Sequence, residues 1–149
     1  MTNLNPHTVL LDKTFAEANA LLLEARGYVK WQAPVDAEEL SPLSRLKVSC
    51  ESMRVTARLT QVMAWLMLQK AVQGGEVTLK EANNEALHVL NSQTCLDNES
   101  ETDNDIPPRL RILLHDSLNL YLRIMRLDAQ CRKAQLGPSE IKKLTAPRH

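Results

Sequence analysis

Histidines, cysteines and clustered acids are the side chains here that could do chemistry, and their spacing suits none of the common reactions. His115 and Asp116 come nearest to an acid–base couple. Neighbours on a helix diverge by about 100°, so this imidazole and carboxylate do not converge on one substrate. His88 stands alone, and both histidines read as surface residues. Cys50, Cys95 and Cys131 are far apart, with no C-x-x-C and no nearby histidine to complete a zinc set. That pattern predicts free thiols in a reducing compartment, with Cys50 and Cys131 as small packing residues on apolar faces. The sequence has no phosphate-cradling glycine loop, G-x-S-x-G, H-E-x-x-H or calcium loop. The expectation is a non-enzymatic chain with no cofactor and no metal.

Charge points toward protein partners. Eighteen basic and eighteen acidic side chains leave no net charge, which removes the global attraction of a dedicated nucleic-acid binder. The distribution is uneven: residues 74–105 sum to −7, and the segments 41–73 and 106–138 each sum to +4. Asp97, Glu99, Glu101, Asp103 and Asp105 run without an intervening base. Self-repulsion predicts a solvated, mobile loop there, and its five acids are candidate contacts for a basic partner. Lys142, Lys143 and Arg148 in the tail are candidates for an acidic one. Arg111, His115, Arg126 and Lys133 gather on the outer face of the last helix. Without aromatic stacking groups that face reads as solvated, then as a protein contact; a helical nucleic-acid-binding regulator is the alternative.

The elements that must position these residues are helices. The chain's 149 residues are 44% hydrophobic but only 3% aromatic, a balance that favours helix over sheet in one domain. Asn5-Pro6 opens a helix over about 6–32, which should stop because Ala33 precedes Pro34. Ser41-Pro42 opens a second over about 42–73, ended by Gly74-Gly75. Thr78 and Glu81 form a capping-box pattern for a short helix over about 79–91. Pro107-Pro108 and Gly137-Pro138 bracket the last, about 109–135. The predicted fold is all-α: an antiparallel three-helix bundle in one domain, residues 1–138, with a flexible tail, 139–149. The amino terminus lacks a basic and apolar export signal and no apolar run spans a bilayer, so a cytoplasmic chain without membrane insertion is expected.

The second helix is apolar on two sides. Leu43, Leu46, Cys50, Met53, Ala57, Ala64, Leu68 and Ala71 make one stripe; Val48, Val55, Leu59, Val62 and Leu66 make another about 180° away. Lys47, Glu51, Arg54 and Arg58 lie along one edge between them. The Val and Leu stripe needs a cover, from the short helix or from a second copy; a homodimer interface through those five residues is the favoured expectation. In the last helix Asp128 projects into an apolar arc, with Arg54 or Arg58 as candidate partner unless a frayed end hydrates it.

Three stretches, FAEANALLLEARGYV from Phe15, ESMRVTARLTQVMAWLMLQKAVQGGEVT from Glu51 and IPPRLRILLHDSLNLYLRIMRLD from Ile106, resemble the alphaproteobacterial family of the regulator of CtrA degradation, a domain of unknown function. The likeness covers most of the chain and is weakest in the acidic loop and tail. It implies a dimeric helical bundle without enzymatic activity. It also implies an adaptor that helps present the response regulator CtrA and other cargo to the ClpXP protease at the cell pole, together with a receiver-domain partner and a cyclic-di-GMP-binding one.

Overall fold

The computed structural model describes residues 6–90 and 93–135. Helix α1 (Pro6–Gly27) passes through a π-helical turn (Tyr28–Gln32) into α2 (Ala33–Ala37). There follow α3 (Pro42–Gln73), α4 (Leu79–Val89), α5 (Gln93–Leu96), a 3-10 turn (Glu99–Thr102) and α6 (Pro108–Gln135). The fold is all-α, and the starts of α3 and α4 are set as the sequence implies. Ser41 Oγ accepts the Ser44 amide at 3.2 Å with Pro42 behind it, and Thr78 and Glu81 form both bonds of the capping box. Gly75, at φ 73°, supplies the left-handed residue that ends α3, its amide and that of Glu76 returning to the Val72 and Ala71 carbonyls.

The expected stop before Pro34 does not occur. A proline within a helix removes a donor and crowds the carbonyl four residues back. Here the preceding turn is widened: the Ala33 amide reaches the Tyr28 carbonyl, five residues back. Pro34 then falls in the first turn of α2, where a missing N–H leaves no gap. The Tyr28 hydroxyl donates to Asp36 Oδ2 at 3.0 Å and Gln32 Nε2 to Asp36 Oδ1 at 2.9 Å, fastening the turn to α2.

Cross-links between helices fix their directions. Arg58 reaches Leu114 and Ser117, Gln61 meets Tyr121, and Trp65 meets Asp128. Residue numbers rise together, so α3 and α6 run parallel. Opposed to both is α1, with Glu17 paired to Arg123 and Asp12 to Lys70. The expected strictly antiparallel order fails for α3 and α6 because α4, α5 and the 3-10 turn carry the chain back along the bundle before α6 begins.

The two stripes of α3 take opposite roles from those expected. Val48, Val55, Leu59, Val62 and Leu66 are all buried within the single chain, packed with Leu11 and Ala18 of α1, Tyr28 of the π-helical turn, and Leu110, Leu114 and Ile124 of α6. They form the subunit's own core, which corrects the dimer interface expected at those five residues. The cover they required comes from α1 and α6. The other stripe faces outward from Leu43 to Met53, while Ala57, Ala64, Leu68 and Ala71 are half-buried, Ala57 and Leu68 against the same core.

Candidate interaction surface

One edge of α3 clasps the returning chain. Arg58 is fully buried. Its guanidinium donates to the carbonyls of Cys95 (2.8 Å), Asp97 (2.6 Å) and Leu114 (2.8 Å), and to Ser117 Oγ (3.2 Å). Burial lowers its pKa from the usual arginine value, with the nearby Arg54 charge adding to the effect. Oriented carbonyl dipoles, rather than a carboxylate, hold this cation. One turn earlier Arg54 bonds Glu51 at 2.9 Å, donates to the Thr94 carbonyl and approaches Asp97 Oδ2 at 3.5 Å. Further along, Lys47 lies 3.3 Å from both Asp103 and Asp105.

The acidic segment is therefore anchored, not free as its local charge suggested. Asp97, Asp103 and Asp105 pair with bases of α3, and Glu101 pairs with His115 Nδ1 at 3.4 Å. Hydrogen bonding from the Asp105 main-chain amide, aided by Lys47, holds the Asp103 carboxyl below its ordinary pKa. Glu99 remains exposed in the 3-10 turn. Of the five acids expected to meet a basic partner, four already meet a base of their own chain.

The outward face of α3 presents Leu43 (66% exposed), Leu46 (60%), Met53 (72%) and Met67 (58%). Spaced by threes and fours from Leu43 to Met53, with exposed Cys50 between them, they keep the 3.5-residue period of a helix–helix seam. Beside this seam a groove of about 750 Å³ runs between α3 and the segment from Val29 to Ala37. Ala33, Ala37, Ser49 and Ala57 line it with small side chains, and Val29 and Met53, also in the lining, are both exposed. The widened turn ahead of Pro34 shapes one wall.

A family model described as a protein of unknown function, DUF1465, matches residues 5–147. The chain belongs to the DUF1465 family. Its fold is similar to the crystal structure of RcdA from Caulobacter crescentus CB15: identity is 33%, the match covers 82% of this chain and 90% of that one, and the TM-score is 0.66. No curated protein matches the chain. The resemblance read from the three sequence stretches is thus to the family that the chain belongs to.

Other expected residues of this DUF1465 chain fall as follows. Asp128 does not meet Arg54 or Arg58. It accepts from Trp65 Nε1 at 3.0 Å and from Arg132 Nε at 2.9 Å, one turn along α6. His115 is exposed and bonds Asn119 at 3.0 Å, while Asp116 also points to solvent. Cys95 is the buried thiol, Cys131 is half-buried and Cys50 is exposed, so the packing role expected of Cys50 passes to Cys95; all three are free. Lys142, Lys143 and Arg148 lie outside the described residues, as does the side chain of His88. Among the described residues no group of three or more His, Cys, Asp or Glu side chains could hold a metal ion, and no helix is long and apolar enough to cross a membrane. Sequence reasoning missed the Arg58 clasp, three of whose four partners are main-chain carbonyls that carry no side-chain signal.

Proposed function

We propose that this DUF1465 chain is a homodimeric, non-enzymatic adaptor in regulated proteolysis. By its likeness to the regulator of CtrA degradation, it would help deliver response-regulator cargo to the ClpXP protease with a receiver-domain partner, recruited to a cell pole. The observation that carries this reading is the open seam of α3 beside an apolar groove, in a chain whose described polar clusters bind its own backbone and loop. Large apolar side chains left wet on one continuous helix face each forgo roughly 1.5–3 kcal/mol of burial. Contiguous apolar surface of that kind marks an interaction site. A two-fold contact would lay Leu43, Leu46 and Met53 of each copy against the same face of the other.

Two measurements test the reading separately. Sedimentation equilibrium on the purified chain should give twice the chain mass, and a monomer at all concentrations removes the dimer. Capture on a catalytically inactive ClpP trap in a bacterial lysate should recover this chain together with ClpX or receiver-domain proteins. Their consistent absence removes the adaptor role. The nucleic-acid alternative predicts salt-dependent gel shifts, and none at low ionic strength eliminates it.

A further inference from the structure

The groove between α3 and the segment from Val29 to Ala37 carries a single charge. Among the described residues that line it, Arg45 is the one charged side chain; the others are Ala, Val, Pro, Met, Ser and Thr. Its Nε donates to the Ala37 carbonyl at 2.8 Å, which fixes the guanidinium at the Ala37 end of the groove. No carboxylate among the described residues pairs with it. The acids nearest in sequence, Asp36, Glu38 and Glu39, line a different cleft with Asp105 and Pro107. Arg45 also stands near the start of α3, where the helix dipole is positive and no acid occupies the first turn to offset it. This end of the groove is matched to an anionic group.

The rest of the groove suits a helix. Its α3 wall runs from Arg45 to Ala57, about 18 Å at 1.5 Å per residue, the length of about twelve helical residues. Ala33, Ala37, Ser49 and Ala57 are small enough to let a third helix approach the other two closely. The main-chain groups of α3 are spent within the helix, and the Ser52 and Thr56 hydroxyls donate to the Val48 and Ser52 carbonyls. An extended segment laid along this wall would leave its own amides and carbonyls unmatched, whereas a helix satisfies its own.

Resting on the adaptor reading, we infer that the groove receives an amphipathic helix of a partner protein, apolar along the face laid between Val29 and Met53 and carrying an acidic residue at the end that meets Arg45. Leu43, Leu46 and Cys50 lie about a third of a turn around α3 from Arg45, Ser52 and Thr56, with Met53 between the two sets. A second copy on the seam and a partner helix in the groove therefore fit together on one helix.

The test is an NMR titration of the full isotope-labelled chain with the blocked helical peptide acetyl-Ala-Glu-Ala-Ala-Leu-Ala-Gln-Ala-Leu-Ala-Ala-Leu-Ala-amide, against the same peptide with Gln in place of Glu, a residue of similar helix propensity without the charge. The Glu peptide should saturate, shift the main-chain amide signals of Ala33, Ser49 and Thr56, and bind about fivefold tighter than the Gln peptide, the ratio that about 1 kcal/mol confers. Arg45→Gln should abolish that difference and leave the affinity for the Gln peptide as it was. Ser49→Trp, at an exposed lining position, should block both peptides. Absence of saturable binding, equal affinity of the parent for the two peptides, a charge preference that survives Arg45→Gln, or parent-like binding by Ser49→Trp overturns the proposal. Binding seen only with Met53→Glu gives the groove to a second copy, and binding seen only after residues beyond Gln135 are removed gives it to the chain's own tail; either result also overturns it. ClpP-trap capture on the same preparation separates the two readings. Capture without peptide binding removes the partner helix and leaves the adaptor, while peptide binding without capture removes the adaptor and leaves a helix-binding groove.

Discussion

Met53→Glu asks directly whether the outward face of α3 meets a second copy. Met53 is 72% exposed, in the lining of the groove, so the substitution should leave the folded single chain within about 0.5 kcal/mol of the parent. In a two-fold dimer each copy buries its own Met53. Full burial of such a side chain is worth roughly 1.5–3 kcal/mol, and the exposed fraction scales that to about 1–2 kcal/mol per copy. Because the contact is isologous the loss counts twice, about 2–4 kcal/mol per dimer. At about 1.4 kcal/mol per factor of ten, the dimer dissociation constant should rise roughly 30- to 1,000-fold. Desolvating two unpaired carboxylates pushes it further the same way. Sedimentation equilibrium over a dilution series reads the constant, and a thermal melt confirms that the fold is untouched. If Met53→Glu and Leu46→Glu both associate as the parent does, the seam is not the interface.

Three other perturbations probe the remaining faces of α3. Leu59→Ala, in the buried stripe, should cost about 2–5 kcal/mol in urea unfolding with no change in association of the folded chain; a shift to monomer at unchanged stability would return Leu59 to an interface. Arg58→Met strips the donors from the Cys95 and Asp97 carbonyls and should cost on the order of 3 kcal/mol while raising amide exchange across residues 93–105. Parent-like exchange there contradicts the clasp. The Lys47 clip to Asp103 and Asp105 has a defined pH window. Asp103 titrates below its ordinary 3.8, mainly through the Asp105 amide, so its contribution is full above that value and is lost as pH falls through the folded pKa. Lys47 titrates above its ordinary 10.5 through hydrogen bonds to Asp103 and Asp105, so its contribution is full below that value and is lost as pH rises through the folded pKa. The Asp105 amide signal should stay constant between these limits and move outside them; drift near neutral pH refutes the assignment.

Helix starts and ends were legible because their chemistry is local: Ser41, Thr78 with Glu81, and Gly75 each act on backbone within one turn. The two-sided character of α3 was legible for the same reason. Which side faces inward was not, since that depends on what α1 and α6 present, and neither stripe's own residues encode it. The volumes held a hint. Val48, Val55, Leu59, Val62 and Leu66 are uniformly large, as a three-helix core requires, whereas the outer stripe mixes Leu and Met with Cys50 and Ala57. The acidic segment was misread because counting charge along the chain ignores Lys47 and Arg54, some forty to sixty residues away. The basic edge of α3 was visible, but its destination was not. For Asp128 the spacing to Arg132 was in plain view, and one-turn pairing should have outweighed a distant arginine. Pro34 shows the converse: a local rule was applied correctly and then overridden by a wider turn.

The placement of these faces explains how one helix can serve both folding and assembly. Successive side chains on α3 advance by about 100°, so the core stripe, the basic edge and the outward seam occupy separate sectors of its surface. Arg58 and Arg54 spend their hydrogen bonds on the returning segment, which ties residues 93–105 to the same helix whose neighbouring sector carries Leu46 and Met53. A partner that engaged the anchored loop and a second copy that engaged the seam would then be reading adjoining sectors, about a quarter-turn apart, of one rigid element. Neither need displace the other. Substitutions in the three sectors should accordingly separate: loss of folding from Leu59, loss of loop order from Arg58, loss of association from Met53. If the three defects instead always appeared together, α3 would not be the shared frame, and the anchored loop would have to be part of the dimer contact itself.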